Sequence, residues 1–180
     1  MAQHFRIWRV HKVILTVLTL GLVPNTSAHD AEKIAIPAMP QDVVFEDGVT
    51  ARKKIEDAKV RAGIAGKNVL ILIGTKSCHD TAALLGWFSH PLFAPMISTN
   101  FQLVLVESGR KDRNLDLVRS LGFKAIEGTP MLVVMTPDGA ILNRKQIFTL
   151  RNAASRTPDD LYRYFIPYRS NRTPDFTPQK

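Results

Sequence analysis

Two rhythms of apolar and polar residues run along the chain. Ala51, Ile55, Ala58 and Ala62 recur at helical spacing, with Arg52, Lys53, Lys54, Glu56 and Asp57 between them. That predicts an amphipathic helix, ended by Gly63 and Gly66. The rhythm then breaks. Asn68 to Gly74 (Asn-Val-Leu-Ile-Leu-Ile-Gly) is continuously apolar and branched, which predicts a strand buried on both faces. Thr75, Lys76 and Ser77 turn the chain into a second helix starting at about Cys78 and running to Trp87 or Phe88. Ser89, His90 and Pro91 interrupt it before a further helical stretch to Ile97.

The second half repeats the alternation. Phe101 to Val106 reads as a strand, and Asp112 as the cap of a helix carrying Leu115, Val118 and Leu121 and stopped by Gly122. Met131 to Met135 is a third strand. Thr136-Pro137-Asp138-Gly139 predicts a hairpin turn into a fourth, Ala140 to Leu142, extending towards Phe148. Thr157-Pro158-Asp159-Asp160 offers an N-cap, a first-turn proline and two acids ahead of Leu161 and Phe165. Helices that alternate with strands in this order predict an α/β three-layer sandwich, with a central mixed β-sheet flanked by helices.

The ends follow other rules. Arg6, Arg9, His11 and Lys12 precede an apolar run, Val13 to Val23, and then Pro24, Asn25, Thr26, Ser27 and Ala28. Basic, apolar and small-polar stretches in that order predict a signal peptide over residues 1–28, cleaved after Ala28. The run is shorter than the roughly 20 residues that span a bilayer, so no stable membrane insertion is expected after cleavage. An extended N-terminal segment, 29–48, with Pro37 and Pro40, leads into a domain over 49–170. Residues 171–180, with two prolines and little to bury, are expected to form a flexible C-terminal tail. The chain is 45% hydrophobic and 22% charged, as folded domains are. Its formal charge of +8 includes Arg6, Arg9 and Lys12 and is otherwise scattered, with no interleaved aromatic stripe. Nucleic acid is therefore not an expected partner.

The chain has a single cysteine, Cys78. In an exported protein it is a buried spectator, an intermolecular partner or a reactive thiol. At a helix N-terminus unsatisfied N–H groups and the helix dipole stabilise a thiolate. No metal is expected. His29 as a new N-terminus lacks a second copper ligand, and Cys78 with His79 lacks the further ligands zinc requires.

The element order, Cys78 at the helix start, the strand Asn100-Phe101-Gln102-Leu103-Val104-Leu105-Val106 and the run Gly128-Thr129-Pro130-Met131 through Thr136-Pro137-Asp138-Gly139 resemble the thioredoxin superfamily, and its exported branch in particular. The likeness covers roughly residues 50 to 165. It implies a thioredoxin-like fold and a bacterial periplasmic location. It also implies that Pro130 is a cis-proline facing the sulfur, and that the Thr129 backbone pairs with an extended substrate. Three features depart from the family pattern. Thr81 stands where the motif has its second cysteine, so the motif is a degenerate Cys78-His79-Asp80-Thr81. Ser77 replaces a tryptophan, and Leu72 a buried acid.

Threonine cannot attack a mixed disulfide, so the expected activity is monothiol exchange: isomerase or mixed-disulfide chemistry without cofactor, on thiol- or disulfide-containing client proteins or glutathione-like thiols. His79 either stabilises the thiolate or simply faces solvent. Thr81 either donates to the sulfur or packs. Two other readings stay open. One is a redox-inactive module binding peptides or a partner through the same groove. The other is a one-cysteine peroxidase built on Thr75-Lys76-Ser77-Cys78, for which Arg144 is the arginine candidate.

Overall fold

The computed structural model describes residues 35–170. The predicted signal peptide, residues 29–34 of the lead-in and the 171–180 tail lie outside them. Three strands form the sheet: β1 (Asn68–Gly74), β2 (Phe101–Glu107) and β3 (Met131–Met135). β1 is central, parallel to β2 and antiparallel to β3. Every residue of β1 and β3 is buried.

Period-two alternation sends side chains to opposite faces, and each face has its own helices. Leu70, Leu72, Leu132 and Val134 meet α2 (His79–Ser89), α3 (Ala94–Asn100) and α5 (Pro158–Phe165). Val69, Ile71, Ile73, Met131 and Val133 meet α1 (Gly48–Ala65) and α4 (Leu115–Ser120). The result is a mixed sheet between two helical layers. Trp87, Phe88 and Phe93 are core residues of the first layer, where Phe88 meets Phe165 edge-on with ring centroids 5.4 Å apart.

Helix ends follow local chemistry with two corrections. Gly63 lies inside α1, and the helix stops at Gly66 (φ 65°), whose N–H bonds back to Ala62 and Gly63. The N-cap of α4 is Asn114 (φ 54°), not Asp112, whose Oδ1 instead accepts from Arg110 N at 2.9 Å. Asn114 is taken for longer-range work. Its Oδ1 accepts from Gly48 N at 2.8 Å and its Nδ2 donates to Glu107 O at 2.7 Å, joining the start of α1 to the end of β2. Gly122 (φ 82°) ends α4 with paired bonds from Gly122 N to Arg119 O and from Phe123 N to Val118 O. α5 begins with the capping box of Thr157 and Asp160.

The predicted fourth strand does not form. Only a single bridge, Met135 to Ile141, follows the turn. The outer edge of β3 is satisfied partly by backbone, Leu142 N donating to Val134 O and Leu132 N to Ile147 O, both at 2.8 Å, and partly by a side chain: Asn143 Oδ1 accepts from Val134 N at 2.8 Å, and its Nδ2 donates to Leu132 O and to Tyr164 Oη, both at 2.9 Å. A buried amide that supplies both a donor and an acceptor replaces a strand's backbone at this point.

The lead-in packs on the domain. Gly86 of α2 lets it pass, since a Cβ there would come within 1.9 Å of Pro37 O. Met39, Val43 and Phe45 add to the α2 face. Glu46 then pairs with β2, its N–H bonding Leu105 O and its carbonyl accepting from Glu107 N, both at 2.9 Å, so this part of the sheet edge is covered.

Asn143→Ala leaves two backbone groups, Val134 N and Leu132 O, without their partner, while Tyr164 Oη keeps its bond to Gln146 O; each orphaned buried polar group costs about 1–3 kcal/mol. We expect urea unfolding to show a loss of about 3 kcal/mol with an unchanged m-value. A loss under about 0.5 kcal/mol would mean water replaces the amide there.

Candidate functional site

The site is built where β1 ends. Gly74 closes the strand because Thr81, on the first turn of α2, lies against it: a Cβ at position 74 would stand 2.7 Å from Thr81 Oγ1. That close packing fixes the start of α2, and Cys78 is its N-cap. The Cys78 carbonyl accepts from Ala82 N at 2.9 Å, and its N–H donates to Thr75 O at 3.2 Å. Cys78 is half-buried.

Across from it stands the turn before β3. The Thr129–Pro130 peptide bond is cis, and Pro130 is buried. Thr129 touches the sulfur twice. Its Oγ1 donates to Sγ at 3.3 Å, and its carbonyl lies 3.6 Å from Sγ, where the protonated thiol donates to it. The same residue therefore serves both protonation states: carbonyl for the thiol, hydroxyl for the thiolate.

Burial pushes the Cys78 pKa upward, and hydrogen bonds more than reverse it. The Thr129 and Thr81 hydroxyls and the backbone N–H groups of Thr81 and Asp80 all favour the anion, leaving the thiol below its ordinary 9.0. Thr81 Oγ1 is completely buried and has no hydrogen-bond partner at normal geometry. It is nonetheless near enough to the sulfur to favour the anion. A donor held under a sulfur without a full bond is best satisfied when that sulfur carries charge.

The neighbouring motif residues do other work. His79 is exposed, and its Nε2 sits 3.1 Å from Asp80 Oδ2, so it is aimed at the carboxylate. Asp80 is buried, and its Oδ1 accepts from Ala154 N at 2.9 Å, tying α2 to the segment Ala153–Ser155. This anchor carries no separate motif in the sequence; an acid on a helix's first turn reads only as a dipole partner. Leu72 is fully buried in the α2-facing core, and Ser77 is exposed. Arg144 lies over the Phe123 ring at 5.0 Å and donates to Gly122 O, engaged with the α4 end rather than with Cys78. Among the described residues no three His, Cys, Asp or Glu side chains gather as metal ligands. No helix among them is long and apolar enough to cross a membrane.

The fold that carries this site has a counterpart among solved structures. The chain superposes on the crystal structure of a disulphide isomerase from Xylella fastidiosa Temecula1 with a TM-score of 0.63. The match covers 70% of this chain and 96% of that one, at 24% sequence identity. The fold is thioredoxin-like. No protein-family profile matches the chain, and no curated protein matches it.

Thr129→Val removes one donor to the thiolate while keeping the side chain's shape, so the Cys78 pKa rises. Iodoacetamide alkylation followed against pH should shift its midpoint upward in this variant; a superimposable profile would show that the Thr129 hydroxyl does not act on the sulfur. The lowered pKa also has a stability signature. Below the folded-state pKa both states hold the proton, and nothing is gained. Between that pKa and 9.0 the unfolded chain binds more protons, so stability rises with pH and then levels off. Cys78→Ser should lack this rise in denaturant titrations.

Proposed function

We propose that this protein is an exported monothiol exchange protein of the periplasm, acting on client disulfides through Cys78. The observation that carries the reading is Cys78 itself: half-buried at a helix N-terminus, with its anion favoured by two hydroxyls and two backbone N–H groups. The likeness of fold to a disulphide isomerase supports it, and the basic-apolar-small order of residues 1–28 supports export.

The steps balance around one sulfur. The Cys78 thiolate attacks a client disulfide; a new S–S bond forms to one client sulfur as the old one breaks. The departing sulfur leaves as thiolate and takes a proton from solvent. Thr81 cannot resolve this mixed disulfide. Release requires a second thiolate, either the client's own or a small thiol such as glutathione, which attacks the client sulfur and returns Cys78 as thiolate. When the client supplies it, disulfides are rearranged with no net oxidation. Thr129 and Pro130 form the wall along which the client backbone lies. His79, turned to Asp80, is a surface residue in the resting protein.

A second reading has its own support. The missing second sulfur, the leucine at 72 and the exposed serine at 77 suit a thioredoxin-fold binding module that uses the groove without covalent chemistry.

Incubation with glutathione disulfide separates the two. The exchange reading expects rapid formation of one glutathione adduct by mass, reversed by free thiol and absent in Cys78→Ser. A folded protein that stays unmodified at neutral pH would leave only the binding module.

Thr81→Cys supplies the lost sulfur in a slot that already accepts a larger side chain. It should give dithiol reductase activity, read as insulin reduction. A folded, inactive Thr81→Cys would place the deficit at Leu72 and Ser77.

A further inference from the structure

Resting on the exchange reading above, we propose that a basic groove beside Thr129 selects clients with acidic side chains next to the cysteine under attack. The groove, open and about 760 Å³ in volume, runs from Gly128 and Thr129 towards Phe148 and Arg151. It begins at the residue whose hydroxyl and carbonyl both touch Sγ. It is thus a continuation of the reaction centre.

Its charge is one-sided. Lys111, Arg151 and Arg156 line it against a single acid, Glu127. None of the three cations belongs to an ion pair among the described residues. Two are held in place. The Arg151 stem lies against Gly128, where a Cβ would meet its Cδ at 2.2 Å, and its guanidinium stands 5.7 Å from the centre of the Phe148 ring. Arg156 Nε donates to Asn152 Oδ1 at 3.0 Å, and its Nη2 to Thr149 O at 3.2 Å. The Asp160 carboxylate is near enough to Arg156 to feel its charge, so Arg151 is the guanidinium left to meet a carboxylate, and its held orientation lowers the entropy cost of binding. An extended client advances about 3.3 Å per residue, and the groove that lines Thr129 also lines Arg151, so residues next to the client's cysteine run into it.

The test separates this preference from the reactivity of Cys78. Three peptides with serine in place of the reacting cysteine, flanked by Glu, Gln or Lys, are titrated against the full-length Cys78→Ser protein by fluorescence anisotropy. The Glu peptide should bind about tenfold tighter than the Lys peptide at low salt, as a few exposed charge pairs allow. In about 1 M salt the two should converge. Arg151→Glu, with its melting temperature checked, should reverse the order.

Equal affinities for the three peptides at low salt would overturn the proposal, whether or not Cys78 exchanges disulfides. So would a preference that survives Arg151→Glu in a folded variant. A glutathione adduct that forms on wild type alongside equal peptide affinities would leave exchange standing and remove only the acidic selectivity.

Discussion

β1 has no exposed face, and a strand buried on both sides must be covered by helices above and below. The demand is energetic as well as geometric. Val69, Leu70, Ile71, Leu72 and Ile73 are all fully buried, and burying each such side chain contributes about 1.5–3 kcal/mol. The strand's inner length sets the two layers, and its end sets the site. Gly74 has no side chain, Thr81 fills the space, and the first turn of α2 is pinned at a fixed height above the sheet. Cys78 sits where it does because that turn can sit nowhere else.

The site is assembled from groups far apart in the chain. Thr129 arrives with β3, which is antiparallel to β1, so its turn lies at the same end of the sheet as Gly74. Asp80 reaches across to Ala154, connecting the helix that bears the sulfur to the loop that also presents Arg151 and Arg156. Tilting of α2 would therefore disturb the nucleophile and the groove together. The electrostatics follow the same economy. Burial alone would favour the neutral thiol, and four short-range donors tip the balance to the anion without a cation in direct contact.

Where sequence reading missed, polar side chains had taken over backbone roles. Asn143 occupies the edge that a fourth strand would have used, and the residues after the Thr136–Gly139 turn carry no signal that distinguishes the two outcomes. Asp112 is a good cap by type, but Asn114 also bonds Gly48 and Glu107, a demand set by elements 60 or more residues and 7 residues away respectively. A lone polar residue announces that it will make hydrogen bonds; its partners depend on what the fold brings near.

The sequence by itself determined the layers, the burial of β1 and the start of α2, because hydrophobic period, glycines and caps act locally and each is written in consecutive residues. It also determined that any chemistry has one sulfur, since Thr81 stands in the second place. Only the tertiary structure decided what surrounds that sulfur: the two contacts from Thr129, the unbonded hydroxyl of Thr81 beneath it, the turning of His79 towards Asp80 and the gathering of Lys111, Arg151 and Arg156 beside the turn. Those are meetings between distant segments, and a contact made across the chain has no period to read.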